Sequence, residues 1–184
     1  MDWLGYGALA LLALYLISTY NGLVSLRARA AQAFSDIDVQ LKQRHDLIPN
    51  LIETVKGYAG HERGTLEAVV RARNEALTAG VSDKPAAEAA LNGSLGRLMA
   101  LAESYPDLKA DENFRQLQTE LAEVEDKLAA ARRFFNNAVA EYNAGVGAFP
   151  AVLFAGLFGF GQRAYFDIGE GERQRLDVAP QVKF

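Results

Sequence analysis

The stretch "FRQLQTELAEVEDKLAAARRFFNNAVAEY", residues 114–142, decides the fold. Phe114, Leu117, Leu121, Val124, Leu128, Ala131, Phe135, Ala138 and Tyr142 recur at alternating intervals of three and four residues through four heptads. That spacing draws one apolar stripe along an α-helix and does not match the two-residue alternation of a strand. Acidic Asp111 and Glu112 fall in its first turn, where the helix dipole favours negative charge. Gly145, Gly147 and Pro150 then make continuation costly.

Working outward, the same period governs most of the chain. After Leu26, the residues Phe34, Ile37, Leu41, Ile48, Ile52, Val55, Leu66, Val69 and Leu77 keep one apolar face, and the first clear break is "TAGVSDKP", Thr78–Pro85. Gly80 is suited to end a helix there; Ser82 or Asp83 can cap the next, with Pro85 in its first turn. That next helix places Leu91, Leu95, Leu98 and Met99 on one side and ends before "SYPDLKAD", read as a loop around Pro106. Long amphipathic helices joined by short loops make antiparallel neighbours. With no alternating strand pattern, the expected fold is all-α: an N-terminal transmembrane helix followed by an elongated antiparallel helical bundle.

Residues 3–26, "WLGYGALALLALYLISTYNGLVSL", carry no charge. As a helix they would extend roughly 36 Å, enough to cross a bilayer's hydrocarbon with some tilt. Trp3, Tyr6 and Tyr20 lie towards the two ends, where aromatic rings favour the headgroup region. A secretory leader would start with positive side chains, whereas Asp2 precedes this run and no small-residue cleavage site follows it. The run is therefore read as an uncleaved anchor over 1–26, with the bundle over 27–148. Arg27, Arg29 and Lys42 follow the anchor, so the positive-inside rule puts the bundle on the cytoplasmic side of a cell membrane.

Beyond the bundle comes "FPAVLFAGLFGFG", Phe149–Gly161, uncharged and rich in aromatic rings. At 13 residues it is too short to span as a helix, reaching only ~20 Å. Phe149, Leu153, Phe154, Leu157, Phe158 and Phe160 are candidate interaction residues. A helix rising from the anchor and two further passes bring the fourth back to the membrane, so the segment is expected to lie near the bilayer and to help build a homo-oligomer. Residues 162–184 have balanced charge and no strong period, and are read as an extended tail.

Composition closes several doors. The 184 residues carry a net charge of −4 and no cysteine. There is no disulfide framework, no thiolate nucleophile and no cysteine-based zinc site. No basic stripe marks a nucleic-acid footprint, so no nucleic-acid partner is expected. The densest ionisable stretch is "SDIDVQLKQRHDLIPNLIETVKGYAGHE", Ser35–Glu62, which holds both histidines. His45 and His61 are 16 residues apart, roughly 24 Å along one helix, so they do not share a metal. "HE" at His61–Glu62 lacks the second histidine of a zincin, and no nucleophile elbow or phosphate loop occurs. No catalytic residue, metal or cofactor is expected. His45 falls in line with Leu41, Ile48 and Ile52, at the edge of the apolar face. Pro49 leaves the His45 carbonyl without its helical donor and should kink the helix. Asn50, or Asn136, Asn137 or Asn143 from another helix, could supply the missing donor.

The order of an anchor, "YNGLVSLRARAAQAFSDIDVQLKQRHDLIPNLIETVKGYAGHERGTLEAVVRAR", "ARRFFNNAVAEYNAGVGAFPAVLFAGLFGF" and "AYFDI" resembles the LemA family of bacterial membrane proteins, over nearly the whole chain. The core "DVQLKQRHDLIPNL" carries most of the likeness. The resemblance implies one membrane helix and a helical bundle, without an accepted activity or cofactor. Some such relatives are associated with membrane remodelling or magnetosome formation, and others are encoded near membrane metalloproteases. The positions that correspond are Asp36, Asp38, His45, Asp46, Pro49, Asn50, Arg132, Asn137, Tyr142 and Asn143, carried over as structural or interaction positions only. Phe34 and Phe135 stand where family members often have other aromatics.

An anchor and a bundle without catalytic machinery point to a non-enzymatic membrane scaffold that self-associates or recruits membrane partners. An accessory or adaptor subunit of a membrane enzyme, such as a protease, is the alternative. A sensor binding a soluble ligand through the Asn/His layer is a third class.

Overall fold

The structure is a computed structural model that describes residues 2–166, so the expected tail over 167–184 lies outside the described residues. It is all-α. Helix α1 runs Asp2–Ala59, α2 Arg63–Thr78, α3 Lys84–Ala102, α4 Pro106–Ala110 and α5 Glu112–Gly147, followed by a 3-10 turn at Ala151–Leu153. Helix α1 passes from the uncharged run into the charged stretch without interruption and continues through Pro49.

Two boundaries differ from the sequence reading. A break at Gly60–Glu62 separates α1 from α2, where one continuous helix was expected. The apolar period concealed it. Val55 and Leu66 lie eleven residues apart, close to three turns at ~3.6 residues each, so the stripe keeps phase across the turn. Glu62 closes the turn by donating its N–H to the Ala59 carbonyl at 3.0 Å, and its side chain accepts from the Tyr105 hydroxyl at 3.2 Å. The second difference is α4, within the stretch read as a loop. Pro106 opens it, where the missing N–H is harmless, and Leu108 is fully buried.

The chain divides into two compact units, residues 40–126 and residues 2–39 with 127–166. In the first, the end of α1 supplies Ile48, Leu51 and Val55 to a core shared with Leu66 and Val69 of α2, Leu91 and Leu98 of α3, Leu108 and Phe114. Helix α5 begins in this unit with a capped turn. The Asp111 carboxylate accepts the Phe114 N–H at 2.8 Å and, through its other oxygen, the Tyr58 hydroxyl at 2.9 Å.

Those bonds hold the Asp111 carboxyl below its usual range, the Phe114 amide being the main cause and Tyr58 the next. A depressed folded pKa gives stability that is present above about pH 4, the unfolded value, and lost as pH falls through the folded value. Asparagine caps equally well but does not titrate. Urea melts from pH 6 to 2.5 should therefore show the Asp111→Asn variant losing less stability with acid than the wild type. Parallel pH profiles would mean that Asp111 contributes nothing to the acid limb.

In the second unit, α1 and α5 approach closely at Gly145. A Cβ there would lie 2.8 Å from Leu26 Cδ1 and 3.4 Å from Leu23 Cδ2. Leu23, Tyr142, Ala151, Ala155 and Phe160 form one core cluster, and Phe34 meets Phe135 edge to face at 5.5 Å between centroids. The stripe that began this reading is buried at Phe114, Val124, Leu128, Phe135, Ala138 and Tyr142, and half-buried at Leu117, Leu121 and Ala131.

Candidate functional site

Three constellations stand out, one polar cluster in the 40–126 unit and two features of the other unit. The polar cluster is built on α1. Leu41, Arg44, His45 and Ile48 are all buried, so one face carries a cation and an imidazole amid apolar side chains. His45 is 4% exposed and Glu88 of α3 is 1% exposed, and His45 Nε2 lies 2.8 Å from Glu88 Oε1. Arg44 Nη1 lies 3.5 Å from Glu88 Oε2 and 3.4 Å from Glu125 Oε2 of α5, and its Nη2 donates to Asn92 Oδ1. Glu88 and Asn92, four residues apart on α3, present both acceptors on one face. An imidazole whose Nε2 faces a buried carboxylate is not open to a substrate. Among the described residues, no three His, Cys, Asp or Glu side chains gather as a metal site.

The carbonyl that Pro49 frees has a partner the sequence reading missed. Arg73 Nε of α2 donates to the His45 carbonyl at 2.8 Å, in place of Asn50 or an asparagine of α5. Asn50 and Pro49 are exposed. Arg73 carried no signal of this task, because a lone arginine on an amphipathic helix reads as part of its solvated face. Removing the donor leaves a part-buried carbonyl unmatched, so Arg73→Ala should cost about 1–3 kcal/mol. In a Pro49→Ala background the helix can restore its own N–H to that carbonyl. The Arg73→Ala cost in denaturant melts should then fall by more than half. Equal costs in both backgrounds would show that Arg73 acts through some other contact.

Asp46 is exposed and pairs with Lys42 at 2.8 Å; that hydrogen bond, foremost, holds its carboxyl below the usual range. Asp36 is exposed and Asp38 half-buried. His61 sits exposed at the α1–α2 turn, away from the buried pair.

In the other unit, two asparagines of α5 grip a chain segment in extended form. Asn143 Nδ2 donates to the Arg163 carbonyl at 2.9 Å, and the Arg163 N–H donates to Asn143 Oδ1 at 2.8 Å. Asn136 repeats the pattern on Phe166, at 3.2 and 2.8 Å. Seven residues on a helix span ~10.5 Å and three on an extended chain ~10 Å, so the two periods coincide. The Arg163 guanidinium lies 5.7 Å from the Tyr142 ring centroid, and that of Arg132 5.5 Å from the Phe166 ring. The family-motif positions Arg132, Tyr142 and Asn143 thus meet at this clamp. Asn137 is exposed, and its neighbour Asn136 makes the contact.

The third constellation is the apolar segment. After Gly147 the chain folds through the 3-10 turn into further tight turns, closing where the Phe160 N–H donates to the Ala155 carbonyl at 2.9 Å. Gly159 has φ +72°, a left-handed conformation that favours glycine. The fold divides the six candidate residues. Phe160 is buried; its ring meets Tyr20 of α1 edge-on at 5.4 Å, and the Arg27 guanidinium sits 4.8 Å from its centroid. Phe158 also meets Tyr20, at 5.4 Å, and Phe154 at 6.0 Å. Phe149, Leu153 and Leu157 are turned outward, Leu157 being 86% exposed.

Against known proteins, the model described as "LemA family" matches residues 33–184. The chain is 27% identical over 178 residues to magnetosome protein MamQ of Magnetospirillum gryphiswaldense, covering 82% of this chain and 65% of that protein. Magnetosome protein MamQ 2 of Paramagnetospirillum magneticum is 25% identical with the same coverage. Protein LemA of Metamycoplasma hominis is 26% identical over 161 residues, 86% of this chain and 74% of that protein. The chain thus spans slightly less than two thirds of the length of these magnetosome relatives.

Proposed function

As a chain that belongs to the LemA family, this protein is, we propose, a non-enzymatic, membrane-anchored scaffold that self-associates and organises membrane or membrane partners. The observation that carries the reading is the outward set Phe149, Leu153 and Leu157, held in the same unit as the apolar start of α1. In α1, one helix is long and apolar enough to cross a membrane, and its first turns are almost wholly exposed. Large apolar groups that no part of the folded chain covers mark an interaction site. Relatives named as magnetosome proteins fit a role in organising a structure.

The test is particle size in a mild detergent. Leu153→Asp combined with Leu157→Asp should shrink the particles and leave helical circular dichroism unchanged, because both side chains already face outward. Particles of unchanged size would remove the assembly role. On the positive-inside rule, protease added outside intact cells should spare the residues after Arg27; digestion would reverse the orientation.

The adaptor reading draws on a different feature. A groove of about 1140 Å³ lies along the end of α1 and the face of α2, lined by Ile52, Leu66 and Val70 together with Glu53, Lys56 and Arg71. A membrane enzyme that co-purifies with the wild type but not with a Val70→Arg variant would favour it over self-assembly.

A further inference from the structure

We propose that the unit formed by residues 2–39 and 127–166 binds one anionic phospholipid, with an acyl chain in the cleft between α1 and the Phe154–Phe158 turns and the phosphate at Arg27. This rests on the anchor reading above and adds a ligand to it. The cleft is lined by Leu16, Ile17, Tyr20, Phe154 and Phe158, offers no polar surface, and has a volume of about 390 Å³. An apolar cavity of ~150 Å³ holds a six-carbon ring, so a cleft of this volume, open along one side, has room for a segment of an acyl chain.

Its position says what fills it. Leu16, Ile17 and Tyr20 belong to the uncharged run over 3–26, so the cleft opens at the depth where the surrounding medium is lipid hydrocarbon. One wall is the membrane helix, and the other is a chain segment folded back onto it. A chain lodged there is held on two sides, unlike a lipid that merely touches a span.

The chemistry changes along α1 in the order of a phospholipid. Leu16, Tyr20 and Arg27 lie within about 40° of one another around the helix, at ~100° per residue. Leu16 is apolar, and Tyr20 has an apolar ring and a polar tip suited to the interface. Arg27 follows Tyr20 by seven residues, about 10 Å along the helix axis, and carries the guanidinium. It lies over the Phe160 ring at 4.8 Å. A guanidinium held against a ring by its charge still carries N–H donors for a phosphate, and the ring limits the freedom lost on binding. Phe160, edge-on to Tyr20, joins the apolar and cationic ends of the site.

The experiment uses the full chain, delipidated in mild detergent and supplied with palmitoyl-oleoyl phosphatidylglycerol or phosphatidylcholine. Native mass spectrometry counts the lipid retained. Flotation with vesicles of the two lipids reports membrane binding separately, and circular dichroism reports folding. The wild type should retain one phosphatidylglycerol and favour it over phosphatidylcholine by about 10-fold, the scale of one charged contact. Ile17→Trp, which fills the cleft with a side chain, should lose the retained lipid while still floating. Arg27→Gln should retain lipid without headgroup preference. Retention unchanged by Ile17→Trp, or none in a wild type that floats, overturns the site and leaves the anchor standing. A wild type that does not float overturns the anchor reading and the site with it.

Discussion

Replacing Glu88 by alanine should destabilise the 40–126 unit by about 3–5 kcal/mol, the penalty for stranding buried charge. Glu88 is buried and meets two buried basic side chains: His45 at 2.8 Å and Arg44 at 3.5 Å. Removing the carboxylate takes one anion from the buried Arg44 guanidinium, whose Asn92 and half-exposed Glu125 contacts remain. The comparison that makes the result interpretable is Glu103→Ala. Glu103 also pairs with a cation, Lys109, but both are mostly exposed, so its loss should register at about 0–1 kcal/mol. Denaturant melts of the two variants decide the matter. A Glu88→Ala cost no larger than that of Glu103→Ala would show that the buried cluster is a bystander. The expectation for the whole cluster is different. Replacing Arg44, His45 and Glu88 together by apolar residues of similar volume should restore much of the loss, because a buried ionic group is not intrinsically stabilising.

How much of this was legible follows from what each residue must do locally. The long α5 could be read because its signal repeats: each of its nine stripe positions is buried or half-buried in the folded chain. The turn at Gly60–Glu62 was not readable from period, since eleven residues of spacing keep the stripe in phase. Only Gly60 itself hinted at it. His45 was placed at the edge of the apolar face and lies fully inside. The edge reading came from α1 alone, and the partner that permits burial, Glu88, is one of many glutamates on amphipathic helices. Asn136, Asn137 and Asn143 read as donors to the His45 carbonyl, but Arg73 takes that place, and Asn136 and Asn143 instead hold the backbone of Phe166 and Arg163. Their spacing of seven carried a further message that only the extended Arg163–Phe166 segment reveals. Phe149–Gly161 showed its apolarity plainly, but a sequence without a period does not say which rings turn inward. That division depends on the tight turns closing at Gly159 and on where Tyr20 stands.

The sharpest test of that division is Phe160 against Leu157. Both are large apolar residues of one short segment, three positions apart, and no sequence pattern distinguishes them. Phe160 is 2% exposed, within the cluster of Leu23, Tyr142, Ala151 and Ala155, and touches Tyr20 and Arg27 through its ring. Phe160→Ala should lower the stability of the chain in mild detergent by about 3–5 kcal/mol, from lost packing and the space left behind. On the proposed placement beside a bilayer, the part due to exclusion of water shrinks, but the dispersion contacts and the edge-on aromatic pair remain. The value should therefore fall at the lower end of that range. Leu157→Ala, by contrast, should stay within about 0.5 kcal/mol, since its side chain has little protein packing to lose. The same pair separates folding from assembly. Leu157→Ala should shift particle size without moving the melting transition, and Phe160→Ala should move the transition first. If Leu157→Ala lowers the transition as far as Phe160→Ala does, the segment is packed on both faces, and its outward side is core rather than contact surface.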